Sequence, residues 1–360
     1  MNRFQAPTMI ISGPGAVSAV RDFHPRRLLI VTDPYFYENG TAARIGAASG
    51  AERIEYFTQV KPDPTVSLAA EGTAVLKAFD PDVLVALGGG SSMDCAKAMV
   101  YFSGRDVTLI AIPTTSGSGS EVTDFSILTH EGVKHPLIDP KLRPKAAILD
   151  SDLLASLPAK LIGDTGFDAI SHAVEAFVAT NANAITDSLS RDAFCCLLAM
   201  LPASFGGDPT HRLRIHEAST MAGLAFSQAG LGLCHALSHA LGGMYHVPHG
   251  RLNAILLPAV IGCNAHAAGE KYAKLSSAAG LVGNSPTVAV RNLRNTLTRL
   301  RRELNLPATL QQAGIDPKKL RYDTESIVKA TLADPCCATN PTKAEDFMVR
   351  RVLEEVAGRE

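Results

Sequence analysis

Two apolar runs in the first third of the chain, PDVLVALGGG (81–90) and DVTLIAIPTT (106–115), constrain the fold most strongly. Both are apolar at consecutive positions, so neither suits a sheet that has one face in water. RRLLIVTD (26–33) and RIEYFTQV (53–60) are further candidate strands, and VSLAAEGTAVLKAF (66–79) has helical spacing. Buried strands that alternate with helices predict a parallel sheet covered on both faces, with ligands bound at the carboxyl ends of its strands.

The sequence pattern changes after about residue 155. From LPAKLIGDTGFDAISHAVEAFV (157–178) onward, apolar residues recur at helical intervals and β-branched runs become scarce. A chain of 360 residues is also too long for one compact core. We therefore predict two domains, an α/β domain over residues 1–155 and an all-α domain over residues 156–360. Four later segments also have helical spacing: ITDSLSRDAFCCLLAML, IHEASTMAGLAFSQAG, GEKYAKLSSAAGL and EDFMVRRVLEEVAG.

Composition argues against several classes of protein. The formal net charge is −1 and no run of lysine or arginine occurs, which argues against a nucleic-acid partner. The seven cysteines are odd in number and include no CxxC, so a reducing compartment fits better than a disulfide framework. MNRFQAPTMIISGPG does not resemble a secretory signal, and no stretch approaches the roughly twenty uninterrupted apolar residues of a membrane span. We expect a cytoplasmic protein without a membrane partner.

A glycine-rich turn, VLVALGGGSSMDCAKAMV, joins one predicted strand to a helix through Gly88, Gly89, Gly90 and Ser91. Glycines allow the backbone to approach a phosphate, and the following helix offers free N–H groups and a positive dipole end. The spacing matches neither GxGxxG nor the GxxxxGK[ST] of nucleoside triphosphatases. An ordinary strand–helix turn would have the same sequence, so this loop alone is a weak signal.

A second polar loop, AIPTTSGSGSEVT (111–123), follows the next apolar strand. The hydroxyls of Thr114, Thr115 and Ser118 are suited to phosphate or ribose oxygens, and no serine here has the Gly-x-Ser-x-Gly spacing of a hydrolase nucleophile. Two such loops at successive strand ends predict one extended anionic ligand, such as a dinucleotide. Asp33, at the end of the first strand, is suited to a ribose 2′-hydroxyl and would repel a 2′-phosphate. However, it precedes the glycines, and a lone aspartate here is also typical of a helix cap.

Histidines are concentrated in GLGLCHALSHALGGMYHVPHG (230–250), which holds four of the eleven in the chain. His235 and His239 have the i, i+4 spacing of one helix face, before an expected Gly-Gly break at 242–243. His249 lies between a proline and a glycine, which suits a loop that holds the ring rigidly. His246 is the fourth candidate.

Asp168 and His172, in GDTGFDAISHAVEAF, also have i, i+4 spacing. Such a pair is most often a surface or capping contact, but it gains interest beside the histidine-rich segment. Three imidazoles and a carboxylate would suit Fe(II), Zn(II), Co(II) or Mn(II), so the ligand types do not choose the metal. The residues alone also leave open which histidines bind, and at least one is expected to be an ordinary core histidine.

Four motifs in order resemble the iron-containing (group III) alcohol dehydrogenases: GGGSSMDCAK, PTTSGSGSEVT, GFDAISHAVEAF and SQAGLGLCHALSHALGGMYHVPHG. The resemblance runs nearly end to end. Within that family it is strongest to the 1-propanol dehydrogenases of propanediol-utilisation microcompartments, partly through KHPLID (134–139). It implies a Rossmann-like N-terminal domain and an all-α C-terminal domain, the dehydroquinate synthase-like architecture. Residues 1–155 would then bind the dinucleotide, and residues 156–360 would bind the metal and the substrate.

The resemblance also implies roles for individual residues. The metal ligands would be Asp168, His172, His235 and His249. His239 would lie beside the metal as a proton relay, Phe226 would form a wall of the substrate pocket, and His246 matches no functional position. The implied cofactor-binding residues are Asp33, Gly89, Gly90, Ser91, Thr114, Thr115, Ser118 and Lys134.

The implied activity is reversible hydride transfer between NAD(H) and a short primary alcohol or aldehyde, with propanal and 1-propanol as the expected pair. The expected metal is Fe(II), with Zn(II) as the alternative. The resemblance further implies a homodimer, with microcompartment shell or cargo proteins as candidate partners. Two alternatives stay open: a polyol (glycerol-type) dehydrogenase of the same superfamily, and a non-catalytic subunit that binds NAD and metal.

Overall fold

The computed structural model describes residues 4–131 and 133–358. The chain divides into two compact units, one over Gln5–Leu157 and a second that begins at Pro158. The first unit is an α/β fold and the second is helical. The predicted fold class, a parallel-sheet α/β domain followed by an all-α domain, is confirmed.

The first unit is built on a six-stranded, all-parallel sheet. Its strands, in the spatial order β1-β8-β5-β4-β2-β3, are β1 (Met9–Ser12), β2 (Arg27–Val31), β3 (Arg53–Phe57), β4 (Val83–Gly88), β5 (Thr108–Pro113) and β8 (Ala146–Leu149). The four strands predicted from sequence are β2 to β5. The helices of this unit are α1 (Pro34–Glu38), α2 (Thr41–Ser49), α3 (Val66–Phe79) and α4 (Gly90–Ser103).

Alternate residues of the central strands enter two different cores, which explains why the strands are apolar at consecutive positions. Leu29 and Leu84 pack in a core that includes residues of α3 and α4. Their neighbours Leu28 and Val85 pack in a second core that includes Ile45 of α2. Because β2, β4 and β5 are adjacent and parallel, their carboxyl ends lie at one edge of the sheet.

An antiparallel hairpin, β6 (Phe125–His130) and β7 (Val133–Ile138), forms a separate two-stranded sheet in the first unit. The sequence patterns did not indicate it, and they also missed the four-residue strands β1 and β8. The KHPLID segment begins within β7, so Lys134 lies on this hairpin.

In its described part, the second unit contains α5 (Ala159–Val178), α6 (Ala184–Phe205), α7 (Arg212–Ala229), α8 (Leu233–Tyr245), α9 (His249–Ala278), α10 (Pro286–Glu303), α11 (Pro317–Ala333) and α12 (Asp346–Val356). Two local predictions here were wrong. Helix α8 continues through Gly242–Gly243 and ends only where His246 adopts a left-handed conformation, with φ of 55°. His249 does not lie in a loop. Pro248 is the N-cap of α9, and His249 is the first residue of that helix.

Helix α9 is long and apolar enough to cross a membrane by length and composition alone. However, 72% of its most apolar 18-residue window is buried inside the protein, where the helix packs against α5 and α10. A core helix has these same properties, so this feature is weak evidence for a membrane span.

Candidate metal and nucleotide sites

Three helices of the second unit bring the predicted metal ligands together. Asp168 and His172 lie one turn apart on α5, a helix with 16 of its 20 residues buried. His235 lies in the first turn of α8, and His249 begins α9. Gly250 permits the close approach of α9 to α5, because an added Cβ would overlap the carbonyl oxygen of Asp164.

Each of the three imidazoles places its Nε2 within 4 Å of one oxygen of Asp168. Asp168 Oδ1 lies 3.9 Å from His172 Nε2, 3.8 Å from His235 Nε2 and 3.6 Å from His249 Nε2. These separations are too long for hydrogen bonds. Two ligands of a tetrahedral ion at about 2.1 Å are themselves about 3.4 Å apart, so the separation of each ring nitrogen from Asp168 Oδ1 is close to that between two ligands of one divalent cation.

The charges of the site also favour a bound cation. Burial opposes ionisation of Asp168, but His172 and His249 outweigh burial and hold the pKa of this carboxyl well below its usual range. The pKa of His249 is lowered well below its ordinary value by burial. For His235, burial is outweighed by the nearby carboxylates of Asp168 and Glu175, which raise its pKa to about 9. An ionised carboxylate among three imidazoles is a donor set suited to borderline divalent metals.

The rings around this cluster are stacked. Phe226 of α7 is 4% exposed and lies on His172, with ring centroids 4.3 Å apart. His172 in turn stacks on His235 at 4.6 Å, and His239 stacks on His249 at 5.1 Å. The structure therefore places both Phe226 and His239 directly against predicted ligands.

His239 has a carboxylate partner of its own. Its Nδ1 lies 2.8 Å from Asp334 Oδ2, and the other oxygen of Asp334 accepts the backbone N–H of Cys336. Burial opposes ionisation of Asp334, but His239 and the hydrogen bonds from Cys336 together outweigh burial and lower the pKa of the carboxyl. His246, by contrast, is exposed and caps the end of α8.

Sequence analysis missed three polar residues that contact the site: Asp334, Glu175 and Asn253. Glu175 Oε2 lies 2.6 Å from His235 Nδ1. Asn253 donates from Nδ2 to Asp168 Oδ1 at 2.8 Å and is itself held by the hydroxyl of Ser238. Glu175 follows His172 by three positions and Asn253 follows His249 by four, so helical spacing from a predicted ligand was the available signal.

The glycine-rich loops lie at the carboxyl ends of adjacent strands of the first unit. A Cβ added to Gly89 would lie 3.4 Å from Thr115 Oγ1, and one added to Gly90 would lie 3.3 Å from Ser118 Oγ. The two loops therefore pack into one continuous surface that begins at the first turn of α4, which also contains Ser91. Thr114 is 2% exposed and donates its backbone N–H to the carbonyl of Gly88.

Two further cofactor candidates have local partners. Asp33 caps α1 by accepting the backbone N–H of Phe36, as a lone aspartate at this point often does, and its Oδ2 lies 3.7 Å from a Cβ built on Gly88. Asp33 is therefore next to the glycine loop as well as being a cap. Lys134 forms an ion pair with Asp63 at 2.7 Å.

A buried lysine fixes the end of the second loop. The ammonium of Lys97, which is 1% exposed, donates to Ser120 Oγ, to the carbonyl and hydroxyl oxygens of Thr123, and to the carbonyl of Phe125. Burial lowers its pKa to about 8, although the nearby Asp94 opposes the shift.

The same division of the chain appears in comparisons with known families. Residues 7–151 match the model for iron-containing alcohol dehydrogenases, and residues 162–357 match the model for the C-terminal part of the Fe-containing alcohol dehydrogenase family. The chain belongs to the iron-containing alcohol dehydrogenase family. It is therefore an oxidoreductase, and the predicted family and enzyme class are confirmed.

The alignments with individual relatives cover nearly the whole of this chain and of each relative. The 1-propanol dehydrogenase PduQ of Salmonella typhimurium is 37% identical over 99% of this chain and 100% of its own length. The NADPH-dependent butanol dehydrogenase of Clostridium saccharobutylicum is 33% identical over 98% of this chain and 97% of its own. Sulfoacetaldehyde reductase from Bifidobacterium kashiwanohense, solved with NAD⁺, matches with a TM-score of 0.90 and 25% identity over 100% of both chains.

Proposed function

We propose that this alcohol dehydrogenase interconverts short-chain primary alcohols and aldehydes with NAD(H), and that propanal and 1-propanol are its main pair. The observation that carries the proposal is the placement of three imidazole nitrogens within 4 Å of one buried carboxylate oxygen. The name of the Salmonella relative supports the substrate. The α/β domain would bind the dinucleotide, and the helical domain would bind the metal and the alcohol.

The proposed metal ligands are Asp168, His172, His235 and His249. Asp168, His172 and His235 place donor atoms within 4.8 Å of one another, and His249 adds a fourth donor 3.6 Å from Asp168 Oδ1. These donor types suit a divalent ion, and the family name favours Fe(II), with Zn(II) as the alternative. When bound, such an ion supplies Lewis acidity, which favours loss of the alcohol proton. Phe226, stacked on His172, would provide an apolar wall for the short carbon chain of the substrate.

His239 is the proposed proton relay. Asp334 engages its Nδ1, so Nε2 is the nitrogen left to exchange a proton with the alcohol oxygen. In the oxidation direction Nε2 of His239 would take up the alcohol proton, and NAD⁺, held by the loops of the α/β domain, would supply the acceptor for the hydride of the carbinol carbon. A positioned acid–base group of this kind typically contributes about 10²- to 10⁴-fold to the rate.

The proposed nucleotide site follows the two packed loops and the N-terminus of α4, where free N–H groups favour a pyrophosphate. Its residues would be Asp33, Gly89, Gly90, Ser91, Thr114, Thr115, Ser118 and Lys134. The carboxylate of Asp33 favours NAD over NADP, because it would repel a 2′-phosphate. One relative is described as NADPH-dependent and another was solved with NAD⁺, so nucleotide choice varies among proteins similar to this one.

We also propose a cytoplasmic homodimer that is carried into a bacterial microcompartment, with shell or cargo proteins as partners. This proposal rests on the resemblance of the sequence motifs, among them KHPLID, to the 1-propanol dehydrogenases of propanediol-utilisation microcompartments.

The deciding experiment is NADH oxidation with propanal, on protein purified without oxygen and loaded with Fe(II), beside a chelator-treated sample and a parallel assay with NADPH. We expect turnover with NADH that the chelator abolishes and Fe(II) or Zn(II) restores. Turnover that survives complete metal removal would contradict the metal-dependent mechanism. Greater activity with glycerol or other polyols would favour the polyol dehydrogenase, and NADH binding without turnover on any substrate would favour the non-catalytic subunit.

A further inference from the structure

Glu175 is a buried carboxylate that is not one of the predicted metal ligands. It lies on α5, three residues after His172, and is 3% exposed. Its Oε1 accepts the backbone N–H of Cys234 at 2.7 Å. Its Oε2 lies 2.6 Å from His235 Nδ1 and accepts the backbone N–H of His235 at 3.3 Å. One side chain thus contacts three donors at the start of α8.

We propose that Glu175 is a positioning residue that holds the proton of His235 on Nδ1, and thereby presents Nε2 of this ring to the metal. The inference rests on the proposed function, because it takes His235 as a ligand. It goes further in giving a role to Glu175, which the sequence analysis did not predict. The carboxylate at this position, as opposed to an amide, would set the affinity of the site for a divalent cation.

The tautomer follows from hydrogen-bond chemistry. An ionised carboxylate only accepts, so the short contact with Nδ1 requires a proton on that nitrogen. In the neutral ring the lone pair is then on Nε2, which lies 3.8 Å from Asp168 Oδ1 within the cluster of donor atoms. A carboxylate behind a ligating histidine fixes both the tautomer and the ring orientation.

The carboxylate that contacts His235 Nδ1 also caps the N-terminus of α8. The first backbone N–H groups of a helix have no partner within the helix, and they favour a negative charge. Glu175 accepts two of them, and Asn340 accepts a third, from Leu233. Gly232 leaves room for both acceptors, because an added Cβ would lie 2.8 Å from Glu175 Oε1 and 2.7 Å from Asn340 Oδ1. These contacts explain how a carboxylate is stable at this depth.

The test is Glu175→Gln, measured as the dissociation constant for Co(II) from its visible absorption, in competition with a chelator. The carbonyl oxygen of the glutamine is expected to keep the 2.7 Å hydrogen bond from the Cys234 N–H, because the amide NH₂ group in that place would face another donor. Its amide nitrogen then faces His235 Nδ1, which must accept, so the ring proton moves to Nε2 and opposes metal binding. We expect about 10- to 100-fold weaker Co(II) binding than in the wild type.

Asn340→Ala is the matched control, because Asn340 also accepts an N–H group in the first turn of α8 but contacts no predicted metal ligand. It should lower the stability of the protein to urea and leave the Co(II) dissociation constant close to that of the wild type. Equal weakening in both variants would mean that Glu175 acts only through helix capping, and this result would overturn the proposal.

A second measurement on the wild type does not depend on how the variants fold. In ¹⁵N-histidine protein loaded with Zn(II), NMR should show His235 protonated at Nδ1 and bound through Nε2. A ring bound through Nδ1, or a Co(II) affinity unchanged by Glu175→Gln, would overturn the proposal. Absence of metal binding by the wild type would instead contradict the proposed function, so the two failures are distinguishable.

Discussion

At the scale of single residues, position relative to Asp168 distinguishes the histidines of one short segment. His235 and His249 each place Nε2 within 4 Å of the Asp168 carboxylate, whereas His239 pairs with Asp334 and His246 is exposed at a helix end. Spacing along the chain does not show this distinction, because His235 and His239 share the same face of α8. The distinction depends on which neighbouring helix each ring contacts.

Replacing His249 should abolish metal binding. We expect His249→Ala to lose the bound metal and to lower kcat/KM at least about a thousandfold, because Lewis-acid stabilisation is worth several kcal/mol. Metal content by elemental analysis and steady-state kinetics would measure both effects. His246→Asn is the control, since asparagine tolerates the left-handed conformation of this residue. Retention of metal by His249→Ala would contradict the ligand assignment.

Replacing His239 should affect rate and not metal content. His239→Ala is expected to keep the metal and to lower kcat about a hundredfold or more. Asp334→Asn should lower kcat in the same direction with KM for propanal little changed, because it alters the ring orientation and proton position of His239 but removes no binding group. Steady-state kinetics would measure kcat and KM separately, and elemental analysis would measure the metal content of each variant. Loss of the metal from His239→Ala would show that His239 is a metal ligand and not the proton relay.

At the scale of secondary-structure elements, the site depends on how closely α9 approaches α5. Arg251 donates two hydrogen bonds to the buried carboxylate of Asp164, from Nε at 3.1 Å and from Nη2 at 2.7 Å. Together with the missing side chain at Gly250, this ion pair fixes the first turn of α9 beside the turn of α5 that contains Asp168. The glycine next to the proposed ligand His249 is thus required by the packing of α9 on α5.

Gly250→Ala should separate these two helices. The added Cβ would overlap the carbonyl oxygen of Asp164 and lie 3.1 Å from Asp168 Cβ, so we expect about 1–3 kcal/mol lower stability together with weaker metal binding. Gly243→Ala on α8 is the control, because nothing lies within 4 Å of its added Cβ and alanine favours the helix by about 0.5–1 kcal/mol. Urea unfolding and Co(II) titration would compare them, and equal behaviour would contradict the packing argument.

Elements differed in how well the sequence predicted them. Strands β4 and β5 were clear because burial on both faces leaves a continuous apolar run, whereas β1 and β8 have four residues each and give little pattern. The partners of the ligands were harder to find, since Glu175 lies 60 positions from His235 and Asn253 lies 85 from Asp168. Helical spacing places Glu175 near His172 and Asn253 near His249 on their own helices, but it does not show which residue of another helix each one contacts, because that depends on helix packing.

At the scale of the whole molecule, the proposed metal links three helices that are distant in sequence. Its ligands come from α5, α8 and α9, so only the folded helical domain can offer all four at once. A ligand that binds only the folded state stabilises it by an amount set by concentration and affinity. Metal loading should therefore appear as a gain in the free energy of unfolding, independently of any assay of turnover.

We expect Zn(II) at a hundred times its dissociation constant to raise the free energy of unfolding of the helical domain by about 2.7 kcal/mol relative to chelator-treated protein. Urea unfolding followed by far-UV circular dichroism, which reports the helices, would measure the gain. His249→Ala should show no gain and His246→Asn should show the full gain, because only the first removes a ligand. Coincident curves for loaded and chelated wild type would mean that the folded protein does not bind the ion preferentially, and the four-ligand site would then be wrong.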